Sequence, residues 1–190
     1  HHEHIATSVI EDAIFAVGQR VASGAPDPLA MKLLTRSPPS TRNVLALDAD
    51  ILPIQGPPGA GKTHTGGNMI CDLVRAGKTV GVAATSHKVI WNLLHAAAKE
   101  AVKRKFEIRL AHKDDNEEGK TDEWDVMSHK GNAPSLEALA SGTAQVMGGT
   151  VWLWSRPEFA KSVDVLFIDE AGQVSLANAL AMTQAAKSVV

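Results

Sequence analysis

The stretch "ILPIQGPPGAGKTHT", residues 51–65, decides the fold. Ile51 to Gln55 reads as a short buried strand. It runs directly into Gly56-Pro57-Pro58-Gly59-Ala60-Gly61-Lys62-Thr63, a complete G-x-x-x-x-G-K-T. The chemistry requires these types. Glycines let successive backbone N–H groups curl around an anion, and the helix that follows presents its positive N-terminal end to the same phosphates. Lys62 is placed to reach the β and γ phosphates as a point charge, and the Thr63 hydroxyl is an oxygen ligand of the kind Mg²⁺ prefers. His64, in the same first turn, joins the loop as a nucleotide-contacting candidate. Gly66 and Gly67 each cost a helix about 1 kcal/mol relative to alanine, which implies close packing along this segment.

Downstream, strands and helices alternate. Thr79 to Ala84 is expected as a strand and His87 to Lys99 as a helix, with Val89, Ile90, Leu93, Leu94 and Ala97 on one face. Phe106 to Leu110 is expected as a third strand. Such alternation implies an α/β fold, a parallel sheet covered by helices on both faces. Lys113 to Pro134 is polar, acidic and aperiodic, and reads as a long surface loop or disordered insertion. Upstream, Ile5, Val9, Ala13, Ile14, Val17 and Val21 recur at helical spacing, and Asn43 to Leu47 looks helical. The expected organisation is an N-terminal helical segment and linker over 1–42 and a nucleotide-binding domain over 43–190.

A second motif answers the first. In "VDVLFIDEAGQ", residues 163–173, an apolar strand ends in two adjacent carboxylates, Asp169 and Glu170. A bound nucleotide needs a protein acid near Mg²⁺ and a group to orient the attacking water. Asp169 suits the metal and Glu170 suits a general base. Helix capping explains one of these acids more easily than both.

Composition sets outer bounds. Of 190 residues, 44% are hydrophobic and 21% charged, ordinary for a globular domain, and no apolar run approaches a bilayer's thickness. Net charge of -2 gives no global basic footprint, so any nucleic-acid contact has to be local. One cysteine, Cys71, is expected buried in a reducing, cytoplasmic setting. His1, His2 and His4 read as a purification-tag remnant rather than a metal cluster. The acidic insertion argues against a small-molecule kinase with an arginine-rich lid, and no N-K-x-D base-reading motif occurs.

Taken in order, "IQGPPGAGKTHT", "VGVAATSHKVIWNLL", "GGTVWLW" and "VLFIDEAGQVSLANAL" resemble the superfamily 1 DNA and RNA helicases, most nearly the helicase half of bacterial RecB-like nuclease-helicase fusions. The resemblance runs from about Val44 to Val190. It implies a RecA-like P-loop motor domain using ATP and Mg²⁺, with Gly56 to Thr63 as its first motif and Asp169 with Glu170 as metal acid and base. Gln173 stands where the family's glutamine links the nucleotide to the nucleic-acid site. Thr85, Ser86 and Lys88 match the loop that grips a single-strand backbone through hydroxyls, N–H groups and a helix N-terminus. Gly149 and Thr150 fall at a later backbone-contacting motif. Trp91 lies on an apolar helix face and is expected in the core, whereas Trp152 and Trp154 alternate as on one face of a strand. The basic run Lys103 to Lys105 reads as a solvated helix end.

There are departures. Apart from Gln55, which directly precedes Gly56, the nearest upstream glutamine is Gln19, too far from the cradle to stand where many such helicases read adenine. The sequence stops at "AAKSVV", before a G-D-x-x-Q motif and a second RecA-like domain with arginine fingers. The expectation is therefore the first motor domain of an ATP-dependent helicase, with single-stranded DNA or RNA and a second RecA-like domain as partners and no membrane. Alone it should bind nucleotide weakly and turn over negligibly, since a transition-state arginine is worth roughly a thousandfold or more. A nucleotide-responsive binding module without hydrolysis, or a small-molecule P-loop kinase, are the alternatives.

Overall fold

The structure is a computed structural model that describes residues 7–57, 59–115 and 124–190. Pro58 and the histidines His1, His2 and His4 lie outside the described residues. The elements in chain order are α1 (Ser8–Ala22), α2 (Pro28–Thr35), α3 (Lys62–Arg75), β1 (Val80–Ala83), α4 (His87–Lys103), β2 (Leu110–Lys113), β3 (Val126–His129), α5 (Asn132–Ala140), β4 (Val146–Gly148), α6 (Val151–Trp154), β5 (Val163–Ile168), α7 (Leu176–Thr183) and β6 (Ala186–Val189). Single 3₁₀ turns occur at Val44–Ala46, Pro157–Phe159 and Ala171–Gln173.

The six strands form one sheet in the order β3-β2-β4-β1-β5-β6, and every pairing is parallel. Parallel strands need crossover connections, so their carboxyl ends all gather at one edge. The period of two sorts the strand side chains. Val80, Val82, Val146, Val165 and Phe167 meet α3 and α4 on one face, and Ala83, Ala111, Met147, Leu166 and partly buried Ile168 meet α1, α5, α6 and α7 on the other. Both α1 and α2 pack against α7. The expected α/β P-loop architecture, helices around a parallel sheet, is what the chain adopts.

Gly66 and Gly67 sit where α3 crosses α4. A Cβ on Gly66 would lie 2.9 Å from Leu93 Cδ1, and one on Gly67 would lie 2.8 Å from the carbonyl carbon of Ala96. At Gly67 the obstacle is backbone and cannot yield, and at Gly66 it is the end of the Leu93 side chain, so Gly67 above all lets the helices close on each other.

Several expected elements differ. Ile51 to Gln55 is not a strand. Ile51 makes one parallel bridge with Val189 and Leu52 N donates to Val189 O at 2.8 Å, but Pro53 has no N–H to continue the ladder. The third strand starts at Leu110 rather than Phe106; Leu110, Ala111 and His112 are all buried, and a buried histidine hides the pattern. The polar stretch from Lys113 to Pro134 is not all loop: its described part contains β3, paired with β2, and the start of α5. An edge strand needs few apolar residues, and here Val126 is the buried one. Trp152 and Trp154 do not share a strand face. They belong to the single turn of α6, where Trp154 is buried and donates Nε1–H to Val82 O and Gly149 O, while Trp152 is 38% exposed. Trp91 and Cys71 are buried as expected.

Candidate nucleotide site

The cradle is built by backbone conformation. Gly61 caps α3 with φ +79° and Gly59 has φ +77°, left-handed values that a side chain would strain. Lys62 opens the helix and folds back over the loop, its ammonium donating to Gly56 O at 2.8 Å and Pro57 O at 3.1 Å. Those carbonyls occupy the donors that an anionic oxygen would otherwise take. Thr63 is half-buried beside it, and His64 is exposed, with its Nδ1 3.0 Å from Asn68 Nδ2.

The acids arrive from β5. Asp169 N donates to Ala83 O at 2.8 Å, extending the pairing of β5 with β1 to the very tip. Glu170 then has φ +52° and ψ +39°, left-handed for a residue with a side chain, so the strand ends abruptly and the chain turns into Ala171–Gln173. Such a conformation costs roughly 1–2 kcal/mol and persists where the surroundings enforce it. Asp169 Oδ1 accepts from Glu170 N at 2.9 Å. Asp169 and the bridge at Ile51 are separated by β6, which lies between them in the sheet.

These groups meet around one cavity of about 690 Å³. Gly56, Lys62 and Thr63 line one side, and Asp169 and Glu170 line the other, over an apolar floor that includes Ile54, Phe167 and Val190. Among the described residues lining it, Lys62 is the one cation and none is an arginine. Gln173 lies just beyond, exposed, its N–H donating to Glu170 O at 2.8 Å.

Asp50, one residue before the cradle's approach, drew no attention in sequence and is the anchor of that approach. It is wholly buried. Burial alone would raise its pKa, but hydrogen bonds from Lys32 Nζ at 2.7 Å, from both the N–H and hydroxyl of Ser40, and from Ile51 N at 2.8 Å hold it well below the usual carboxylate range. An aspartate bordering an apolar run is too common a sight in sequence to signal this role.

The remaining candidates lie along the same carboxyl edge. Thr85 and Lys88 are exposed beyond β1, and Ser86 caps α4 by accepting from Val89 N at 3.3 Å. Gly149 is buried with its N–H given to Val82 O at 2.9 Å, leaving half-buried Thr150 as the accessible residue at that corner. In the run Lys103 to Lys105, Arg104 is tied inward to Glu100 at 2.7 Å, Asp72 at 2.5 Å and Asn68 at 2.6 Å. It braces α4 against α3.

Parallel strands converging on a glycine loop and an acid-ended neighbour are the architecture of the P-loop NTPases. Within that class the chain belongs to the AAA domain family, whose model matches residues 40–190, a P-loop NTPase family associated with helicase-like proteins. Members of this class bind nucleotide and Mg²⁺. A search of curated proteins gave no match. Among the described residues, no helix is long and apolar enough to cross a membrane.

Proposed function

We propose that this chain is the first motor domain of an ATP-dependent nucleic-acid helicase of superfamily 1, similar to the helicase part of RecB-like proteins. The observation that carries the nucleotide half of this reading is the convergence of Lys62, Thr63, Asp169 and Glu170 on one cavity. The donor set fits the ligand: an ammonium already holding two carbonyl oxygens, a hydroxyl, and a carboxylate are oxygen-ligand and phosphate chemistry. Mg²⁺ bound with ATP would neutralise charge on the phosphate oxygens. Thr63 and Asp169 would hold it. Gly56 to Thr63 would cradle the phosphates, with His64 at the rim, and Glu170 would take the proton of an attacking water. Gln173, on the turn directly after Glu170, would couple this site to the bound strand.

The nucleic-acid half rests on the resemblance and on the exposure of Thr85, Lys88 and Thr150 along one edge. Ser86 would contribute through the N-terminus it caps, and Gly149 by shaping the corner. On this reading transition-state charge would come from an arginine of a further domain.

The test is equilibrium binding of labelled single-stranded DNA and RNA across a salt series, with and without a non-hydrolysable ATP analogue. Lys88→Ala should weaken binding uniformly across sequences and lower the salt slope by about one. Nucleic-acid affinity that is undetectable at low salt would overturn the helicase reading. Strand affinity that ATP changes, together with turnover unaffected by Glu170→Gln in the full-length parent, would instead favour a binding module that does not hydrolyse.

A further inference from the structure

Beyond the cavity, at the tip of β2, three side chains with metal-binding chemistry face one another. His87 opens α4, and its Nδ1 lies 3.1 Å from Nε2 of His112 and 3.6 Å from Oδ2 of Asp114. His112 lies in β2 and Asp114 follows its end, and both are wholly buried. One ligand atom from each of the three falls within 4.8 Å of the others.

A hydrogen bond between two imidazoles accounts for the 3.1 Å contact. Asp114 Oδ2, on a buried side chain 3.6 Å from the same His87 nitrogen, brings an oxygen ligand to that pair. Burial first, and neighbouring His87 second, push the pKa of His112 down to about 3. The spacing matches a shared ion. Ligand atoms about 2.0–2.1 Å from a tetrahedral Zn²⁺ stand about 3.3–3.4 Å apart, and the two measured separations bracket that value. Two imidazole nitrogens and one carboxylate oxygen suit Zn²⁺ or Co²⁺ better than Mg²⁺ or Ca²⁺. The His87 side chain is 26% exposed against 1% for Asp114, which leaves a solvent-facing side for a water as fourth ligand.

The far nitrogen of His112 strengthens the case. Its Nδ1 is buried with no hydrogen-bond partner among the described residues, and Ser128, the register partner of His112 on β3, carries a buried hydroxyl in the same condition. A metal-bound imidazole is ordinarily oriented through its other nitrogen, and rotation of Ser128 would provide that bond.

We propose that His87 Nδ1, His112 Nε2 and Asp114 Oδ2 form a Zn²⁺ site that fastens the Thr85–Ser86 loop to the tip of β2. The ion holds the start of α4 fixed relative to the sheet, independently of any nucleotide.

The experiment is a Co²⁺ titration of chelator-treated full chain in which His1, His2 and His4 are changed to Asn, so that terminal histidines do not compete. One equivalent should bind with the visible bands of tetrahedral Co²⁺ and be displaced by stoichiometric Zn²⁺. His87→Ala, at a partly exposed position, and Asp114→Asn, which preserves shape, should each weaken Zn²⁺ binding on the order of a hundredfold while circular dichroism shows the fold retained. Absence of tetrahedral bands at millimolar Co²⁺, or bands unchanged in folded His87→Ala, would overturn the site.

Discussion

Two aspartates flank β6 and are built in opposite ways. Asp50, on the side of the cradle's approach, is wholly buried and saturated by Lys32, Ser40 and the Ile51 N–H. Asp169, on the side of β5, is half-buried at a strand tip and lines the cavity with Lys62 and Thr63. The same side chain serves as an internal tie where every lone pair is taken, and stands at a cavity wall where the one bond it accepts from its neighbour is the Glu170 N–H. Burial and partners, not residue type, separate structure from site.

That contrast can be broken most strongly from the Asp50 side. Lys32→Met leaves a buried carboxylate without its ammonium and should cost about 3–5 kcal/mol, measured by urea unfolding, whereas Asp169→Asn should stay within about 0.5 kcal/mol of wild type. A large loss in Asp169→Asn would mean that it too is an internal tie. On the Asp169 side, Lys62→Ala should weaken ATP binding on the order of a hundredfold, the scale of lost hydrogen bonds to a charged group, at unchanged melting temperature. Calorimetric titration checks it.

Acid sharpens the comparison next. The folded pKa of Asp50 lies below its unfolded value of about 3.9, so its contribution is fully present above that pH and is lost as pH falls below it. Unfolding free energy should drop by up to about 1.4 kcal/mol per pH unit in that window. In Lys32→Met this acid loss should shrink, because only the bonds from Ser40 and the Ile51 N–H then oppose burial and the folded pKa moves up towards the unfolded one. The smallest effect expected is a gain. Glu170→Gly relieves a left-handed side-chain residue and should stabilise the fold by about 1 kcal/mol, and it should abolish whatever turnover the protein shows. Stabilisation without loss of turnover would remove Glu170 from the chemistry.

The cradle and the acid pair were legible because their demands are local. Positive φ at Gly59 and Gly61 needs glycine, and an apolar strand ending in Asp169–Glu170 is visible in one dimension. What escaped depends on partners distant in sequence. Asp50 acquires its role from Lys32 and Ser40, β3 is a strand because β2 lies beside it, and His112 reads as polar although it packs against Trp91 with ring centroids 4.6 Å apart. The helix α2 could have been found: Asp27 caps it through Leu29 N and Ala30 N, and Pro28 takes its first position. The tryptophans of α6 misled because period two and one helical turn are indistinguishable over four residues.

The central claim is that Asp169 and Lys62 serve one nucleotide and its metal. Calorimetric titration of ATP with and without Mg²⁺, in wild type and Asp169→Asn, tests it most directly. Mg²⁺ should tighten ATP binding about tenfold or more in wild type, at least about 1.4 kcal/mol, and leave Asp169→Asn unchanged. An equal Mg²⁺ gain in both proteins would contradict it.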